Sequence, residues 1–182
     1  MNWAEIRPGL KALIASVSGL TVVWIDEPRG YTDPITEALA VLSVTSVDGV
    51  GWDECHVIQD LTLPQGQELQ DEWRGNRKFT LSIKVESEIQ TDTGSAYQYL
   101  ESIRDSLNFR SSAQALRDLD CAWYGSAPTQ DLTAAQDQRN RSIAVIDLFM
   151  SARTTALDPI RYTYVETADF AGDLTDGQDP GP

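Results

Sequence analysis

Asp53, Glu54, Cys55 and His56 stand in a row, and all four residue types can ligate a metal ion. In an extended chain, successive side chains leave on opposite sides. At most Asp53 with Cys55, or Glu54 with His56, then converge. A zinc site needs three or four ligands, and His56 is the single histidine of the chain. No second cluster has ligand spacing, so the sequence predicts no metal and reads the run as an exposed loop or strand edge. Asp26 and Glu27 are a second adjacent acidic pair, suited to acid–base work only if each finds a distant partner. There is no G-x-S-x-G elbow, no GxxxxGK[ST] loop and no GxGxxG after a strand. Any triad would have to use His56 or a lysine in its place. The expectation is no enzyme and no cofactor.

The elements that hold these residues can be read from periodicity. Trp3, Ile6, Leu10, Leu13, Ile14 and Val17 follow helical spacing, with Gly19 as the stop and Pro8-Gly9 as an anomaly within the helix. Leu20 to Ile25 reads as a strand buried on both faces, ending at Asp26-Glu27 and a loop to Ile35. A second strand covers 38–50, with Ala40, Leu42 and Val44 on one face and Leu39, Val41 and Val47 on the other. It can continue past Gly49 and Gly51 as a long, bent arm toward a tip at Pro64-Gln65-Gly66. Phe79, Leu81, Ile83 and Val85 alternate with polar residues and predict a half-buried strand, which Thr91 to Gly94 breaks. Ala96, Leu100, Ile103 and Leu107 predict a helix over about 94–109, and Ser111 to Leu119 a short third one. Cys121 to Gly125 reads as a strand, 126–141 as an exposed connection, Ser142 to Met150 as a strand, and Arg161 to Glu166 as extended beyond Asp158-Pro159. The class is α+β: a mostly antiparallel sheet with two main helices packed on it and a long β-hairpin arm.

A chain of 182 residues suggests one domain, assigned to 1–166 with the arm at about 48–78. The stretch 167–182 is acidic and too polar to offset its ordering entropy, so it reads as a disordered tail. Two cysteines, Cys55 and Cys121, form no disulfide framework and read as reduced, partly buried thiols. No stretch reaches the ~18 apolar residues of a membrane span, and the N-terminus does not read as a signal peptide. The expected compartment is the cytoplasm or a particle assembled there. The formal net charge is −14 with a pI near 4.3. The basic runs Arg74–Lys78 and Arg139–Arg141 are short and flanked by acids, which disfavours a DNA-gripping protein. Of the five tryptophans, Trp3 and Trp24 read as core. Trp52 and Trp73 lie on the arm, and tryptophan is enriched in interface anchors. With Asp26, Glu27, Arg74 and Arg77 they make up the interface candidates.

The opening WAEIRPGLKALI…SGLTVVWIDEP resembles the N-terminus of phage neck and tail-terminator proteins of the gp12-like neck-terminator domain family. The stretch CAWYGSAPTQDLTAAQDQRNRSIAVIDLFMSA, with Asp131 to Thr133 in its loop, is similar to a later part of that family. The match in order covers roughly 2–166; Pro8-Gly9 and the length of 48–76 depart from the family pattern. The resemblance implies a virion structural protein without catalytic residues. It implies a homo-oligomeric ring, commonly of six copies, that caps the tail tube and joins it to head-completion proteins. The sheath would be a further partner in a contractile tail, and DNA would pass through the channel without specific binding. A sheet facing the channel and a hairpin lapping the neighbour are implied as well.

Other readings stay open at this point. A head-completion or tail-tube-associated protein is the nearest alternative. A small acidic enzyme would need His56 in a pocket with Asp53 or another acid. A monomeric binding module would use Trp52 and Trp73 as an exposed platform.

Overall fold

The computed structural model describes residues 2–27, 38–59, 62, 69–88, 95–133 and 141–157. The tip at Pro64 to Gly66, the breaker at Thr91 to Gly94, Asp158-Pro159, the extended stretch Arg161 to Glu166 and the acidic tail lie outside them, as does most of the loop after Glu27.

Helix α1 spans Trp3–Ser18 and buries Ile6, Leu10, Leu13 and Ile14. It ends where Gly19 turns left-handed at φ 67° and its N–H caps the Ala15 carbonyl. Pro8 sits inside this helix, where it cannot donate to the carbonyl of Ala4. Gly9 has a packing reason: a Cβ there would overlap the Leu119 side chain that follows the third helix. The Pro-Gly anomaly therefore marks a close helix–helix approach rather than a helix boundary.

Strand β1 (Thr21–Trp24) runs parallel to β2 (Leu39–Gln59). β3 (Leu69–Glu88) pairs antiparallel with β2 on one side and with β6 (Arg141–Leu157) on the other. β4 (Cys121–Ser126) and the two-residue β5 (Gln130–Asp131) pair with β6. Helices α2 (Ala96–Ser106) and α3 (Arg110–Asp118) lie between β3 and β4 in the chain. A capping box of Ser95 and Gln98 starts α2. The sheet order is β1-β2-β3-β6-β4, so the fold is α+β with one parallel pair in an otherwise antiparallel sheet.

Phe79, Leu81, Ile83 and Val85 are at most 1% exposed and join Leu10, Ile14, Leu100, Ile103, Leu148 and Met150 in one core. The helices thus cover the odd-numbered face of β3. The opposite face carries Thr80, Ser82, Lys84 and Glu86.

The structure corrects the strand readings in four places. β1 is not buried on both faces: Thr21 is exposed, Ile25 is 63% exposed, and the strand lies at the sheet edge. Val47 does not lie opposite Ala40 and Leu42. A bulge between Val44 and Ser46 shifts the alternation by one, so Val47 pairs with Phe79 on the core side. β6 does not stop at Met150 but continues to Leu157, alongside β3 as far as Glu72. The connection after β4 contains β5.

Candidate functional site

Asp26 and Glu27 find their partners on α1. Arg7 pairs with Asp26, and Lys11 Nζ donates to Glu27 Oε2 at 2.7 Å. Arg7 and Lys11 are four residues apart, hence on one side of the helix. The Arg7 guanidinium also lies 4.6 Å from the centroid of the Trp24 ring, and Trp24 Nε1 donates to the Arg7 carbonyl at 3.3 Å. The hydrogen bond from Arg7 holds the Asp26 carboxyl below its usual range; the one from Lys11, then that from the Trp24 N–H, does so for Glu27. These acids tie the end of β1 to α1. A suitably spaced basic pair on the first helix was the signal that could have found them.

The DECH run lies in β2, where a second irregularity between Val50 and Glu54 surrounds Gly51 at φ 72°. Asp53 turns back to Arg77 of β3: Nη1 meets Oδ1 and Nη2 meets Oδ2, each at 2.6 Å. This fork lowers the Asp53 carboxyl and raises the guanidinium of Arg77. Glu54 lies 3.3 Å from His56 Nε2. Arg74 pairs with Glu72 along the same strand. Among the described residues no three of His, Cys, Asp and Glu gather as metal ligands. Cys55 is exposed; Cys121 is buried, and burial pushes its thiol up to about 11, with Asp120 adding to the shift.

The helix layer ends near Trp3, which packs edge-on against Phe79 at 5.3 Å between centroids. Beyond it, β2, β3 and β6 continue as the arm, three strands wide as far as Glu72 and Leu157. The core-side face of the arm carries Val47, Arg77, Trp73 and Ala156, all lining a cleft of about 300 Å³ with Trp3 and Asp53. Val47, Trp73 and Val57 are 48%, 44% and 66% exposed. By register, all three sit on the side of the sheet that buries Phe79. The other side of the arm carries Asp48, Glu54, Glu72, Arg74, Lys78 and Arg153, a mixture of both signs. Among the described residues, acids and bases are balanced on this face.

Of the six interface candidates, the structure gathers Trp73, Arg77 and Arg74 on the arm and places Asp26 and Glu27 at the foot of α1. The side chain of Trp52 lies outside the described residues. Sequence reasoning missed Val47 and Asp53 as neighbours of Trp73, because both placements depend on bulges. The arrangement offers apolar surface, a two-pronged ion pair and, among the described residues, strand edges without a neighbouring strand, which is the chemistry of association.

No known protein family matches the sequence, and none of the curated proteins does. Comparison with solved structures gives a likeness to a cryo-EM structure of the PVC sheath/tube terminator of an extracellular contractile injection system in its extended state. The identity is 12% and the TM-score 0.44, over 98% of this chain and 66% of that chain. The chain thus spans just under two thirds of the length of that protein, and a likeness at this level says nothing of activity or partners.

Proposed function

We propose that this chain is a structural subunit of a tailed bacteriophage or phage-like particle. In this reading it is a tail-terminator or neck protein whose copies form a ring, commonly of six, around a channel for DNA. The ring caps the tail tube and contacts head-completion proteins on its other side, with the sheath as a further partner in a contractile tail. The observation that carries the reading is the arm. Three strands run past the helix layer with Val47, Val57 and Trp73 uncovered on one side, a surface that a lone soluble domain has no need to build. The terminator-like order of the sequence elements supports it. In this reading the role is structural rather than catalytic, since Asp26, Glu27 and Asp53 of the two tempting clusters are held in ion pairs with Arg7, Lys11 and Arg77.

The mass of the protein by light scattering over a range of concentrations, with negative-stain images, tests this reading. Closed rings near six times 20.1 kDa are expected. A second reading, a monomeric binding module, draws on the cleft between Trp3 and Trp73. It requires a strict monomer whose Trp73 stays solvent-exposed at every concentration.

A further inference from the structure

The arm has two unequal open edges, both at the level above the pairings that close the base of the sheet. On the β2 side, β1 covers only Leu39 to Leu42, and among the described residues no strand lies beside Ser43–Glu54. The main chain of Leu42, whose side chain is buried, turns toward the outer edge, since its carbonyl accepts the Ile25 N–H. Alternation through the register with β3 then turns the main chain of Val47, Gly49 and Val57 outward too. On the β6 side, β4 and β5 reach only as far as Ala152. The Asp147 carbonyl and the Arg153 N–H point outward, to Ala127 and Asp120. Thr155 and Leu157 follow with the same orientation, and among the described residues no strand lies beside them on that side.

Long exposed edges are templates for pairing with another chain, and monomers blunt them with lysine, proline, bulges or a covering loop; β2 carries two bulges, after Val44 and after Val50, which leave Ser46–Val50 and Glu54–Gln59 as regular stretches. The arm stretch of β2 contains neither lysine nor proline. The charges on the two edges are complementary. Asp48 on β2 and Arg153 on β6 are both exposed, both on the side away from the helices, and neither is ion-paired among the described residues.

We infer that a second copy of this chain occupies these edges: the end of β6 in one copy pairs with the outer edge of β2 in the next. This rests on the ring reading and specifies its joint. β2 and β6 both run antiparallel to β3, so they run parallel to each other. Rotation about a ring axis preserves strand direction, so the joint is a parallel one. It uses two different edges, which is what a closed cyclic assembly requires. Six copies with three arm strands each give a barrel of roughly 18 strands. At a spacing of about 4.8 Å and a tilt near 40°, its backbone diameter is about 35 Å, enough for a water-filled bore. The helices lie on one side of the sheet, so the other side, with Asp48, Lys78 and Arg153, lines the bore.

The test compares the full chain with Asp48→Arg, Arg153→Asp, the double exchange, and Thr155→Pro, which removes an outward N–H from β6. Assembly is read by light scattering and folding by circular dichroism. Each single charge reversal places like charges at every joint and raises the concentration for half-assembly by about tenfold or more. The double exchange restores it, and Thr155→Pro leaves folded monomers. Rings that form equally well from both single variants and from Thr155→Pro overturn the joint and leave the ring standing. A twofold dimer, or a wild-type chain monomeric at every concentration, overturns the ring reading and the joint with it.

Discussion

Arg77 grips Asp53 through two parallel hydrogen bonds of 2.6 Å, and the grip passes over Gly75, where a Cβ would collide with the Asp53 carboxylate. One glycine thus allows a bulge in β2 to be pinned to β3. Both partners are about one third exposed, so the pair contributes little to global stability. Its effect is local: it fixes the chain around Gly51 at the root of the arm. Gly75→Val, Asp53→Asn and Arg77→Lys are each expected to leave the thermal midpoint nearly unchanged. Amide exchange over 47–57 should quicken by roughly tenfold, reflecting local opening. Unchanged exchange in Gly75→Val would show that the fork does not order the arm.

Gly9 leads to a second prediction. In an exposed helix interior, Gly→Ala stabilises by about 1 kcal/mol. Here the new methyl would overlap the end of the Leu119 side chain. Gly9→Ala is therefore expected to lower stability by about 1 kcal/mol, since overpacking outweighs the helix propensity. In a Leu119→Ala background the same substitution should become stabilising. Chemical denaturation of the four chains measures the sign change, and additive effects would mean that the two residues do not meet.

Much of this architecture is legible in the residues, and what is not has physical causes. The stripe Ile6-Leu10-Leu13 and the alternation Phe79-Leu81-Ile83-Val85 announce themselves because each repeats the period of its element over several turns or pairs. Val47 cannot be placed that way, because one extra residue in β2 inverts the face of everything beyond it. Leu157 is missed because the end of β6 is polar, ARTTA before it, and is held by register with β3 rather than by its own burial. The fork of Asp53 and Arg77 joins residues 24 apart across a bulge, which no local pattern encodes. Arg7 and Lys11 were visible as a helical pair, but only the fold shows that they face Asp26 and Glu27.

The ion pairs set the expected response to acid. Asp26, Glu27 and Asp53 are held below their usual range by basic partners, and Asp131 by the Thr133 hydroxyl and N–H. In the window below about pH 4 the unfolded chain binds more protons than the folded one, so stability rises with pH there. The contribution is complete above the unfolded carboxylate range and is lost as the pH falls through the depressed folded values. Asp26→Asn together with Glu27→Gln should flatten this limb of the stability profile without altering it near neutrality in shape. Urea midpoints between pH 2.5 and 6 measure the slope. A variant with the wild-type slope would remove these two acids as its cause.

Two tryptophans that pack on the same core should respond unequally to losing their indole N–H. Trp24 is 4% exposed, donates from Nε1 to the Arg7 carbonyl, and carries the Arg7 guanidinium on its ring. Trp123 packs against the same core, and its buried Nε1 has no partner among the described residues. An unmet buried donor costs about 1–3 kcal/mol in desolvation, so removing it offsets part of the volume lost with the larger ring. Trp123→Phe is therefore expected to stay within about 1 kcal/mol of the wild type. Trp24→Phe gives up a satisfied hydrogen bond and the better cation–π surface as well as volume, and should cost about 2–3 kcal/mol. Denaturant unfolding of the two variants side by side decides the matter. Equal losses would mean that the Nε1 of Trp123 is satisfied in solution, which a water bridge would accomplish.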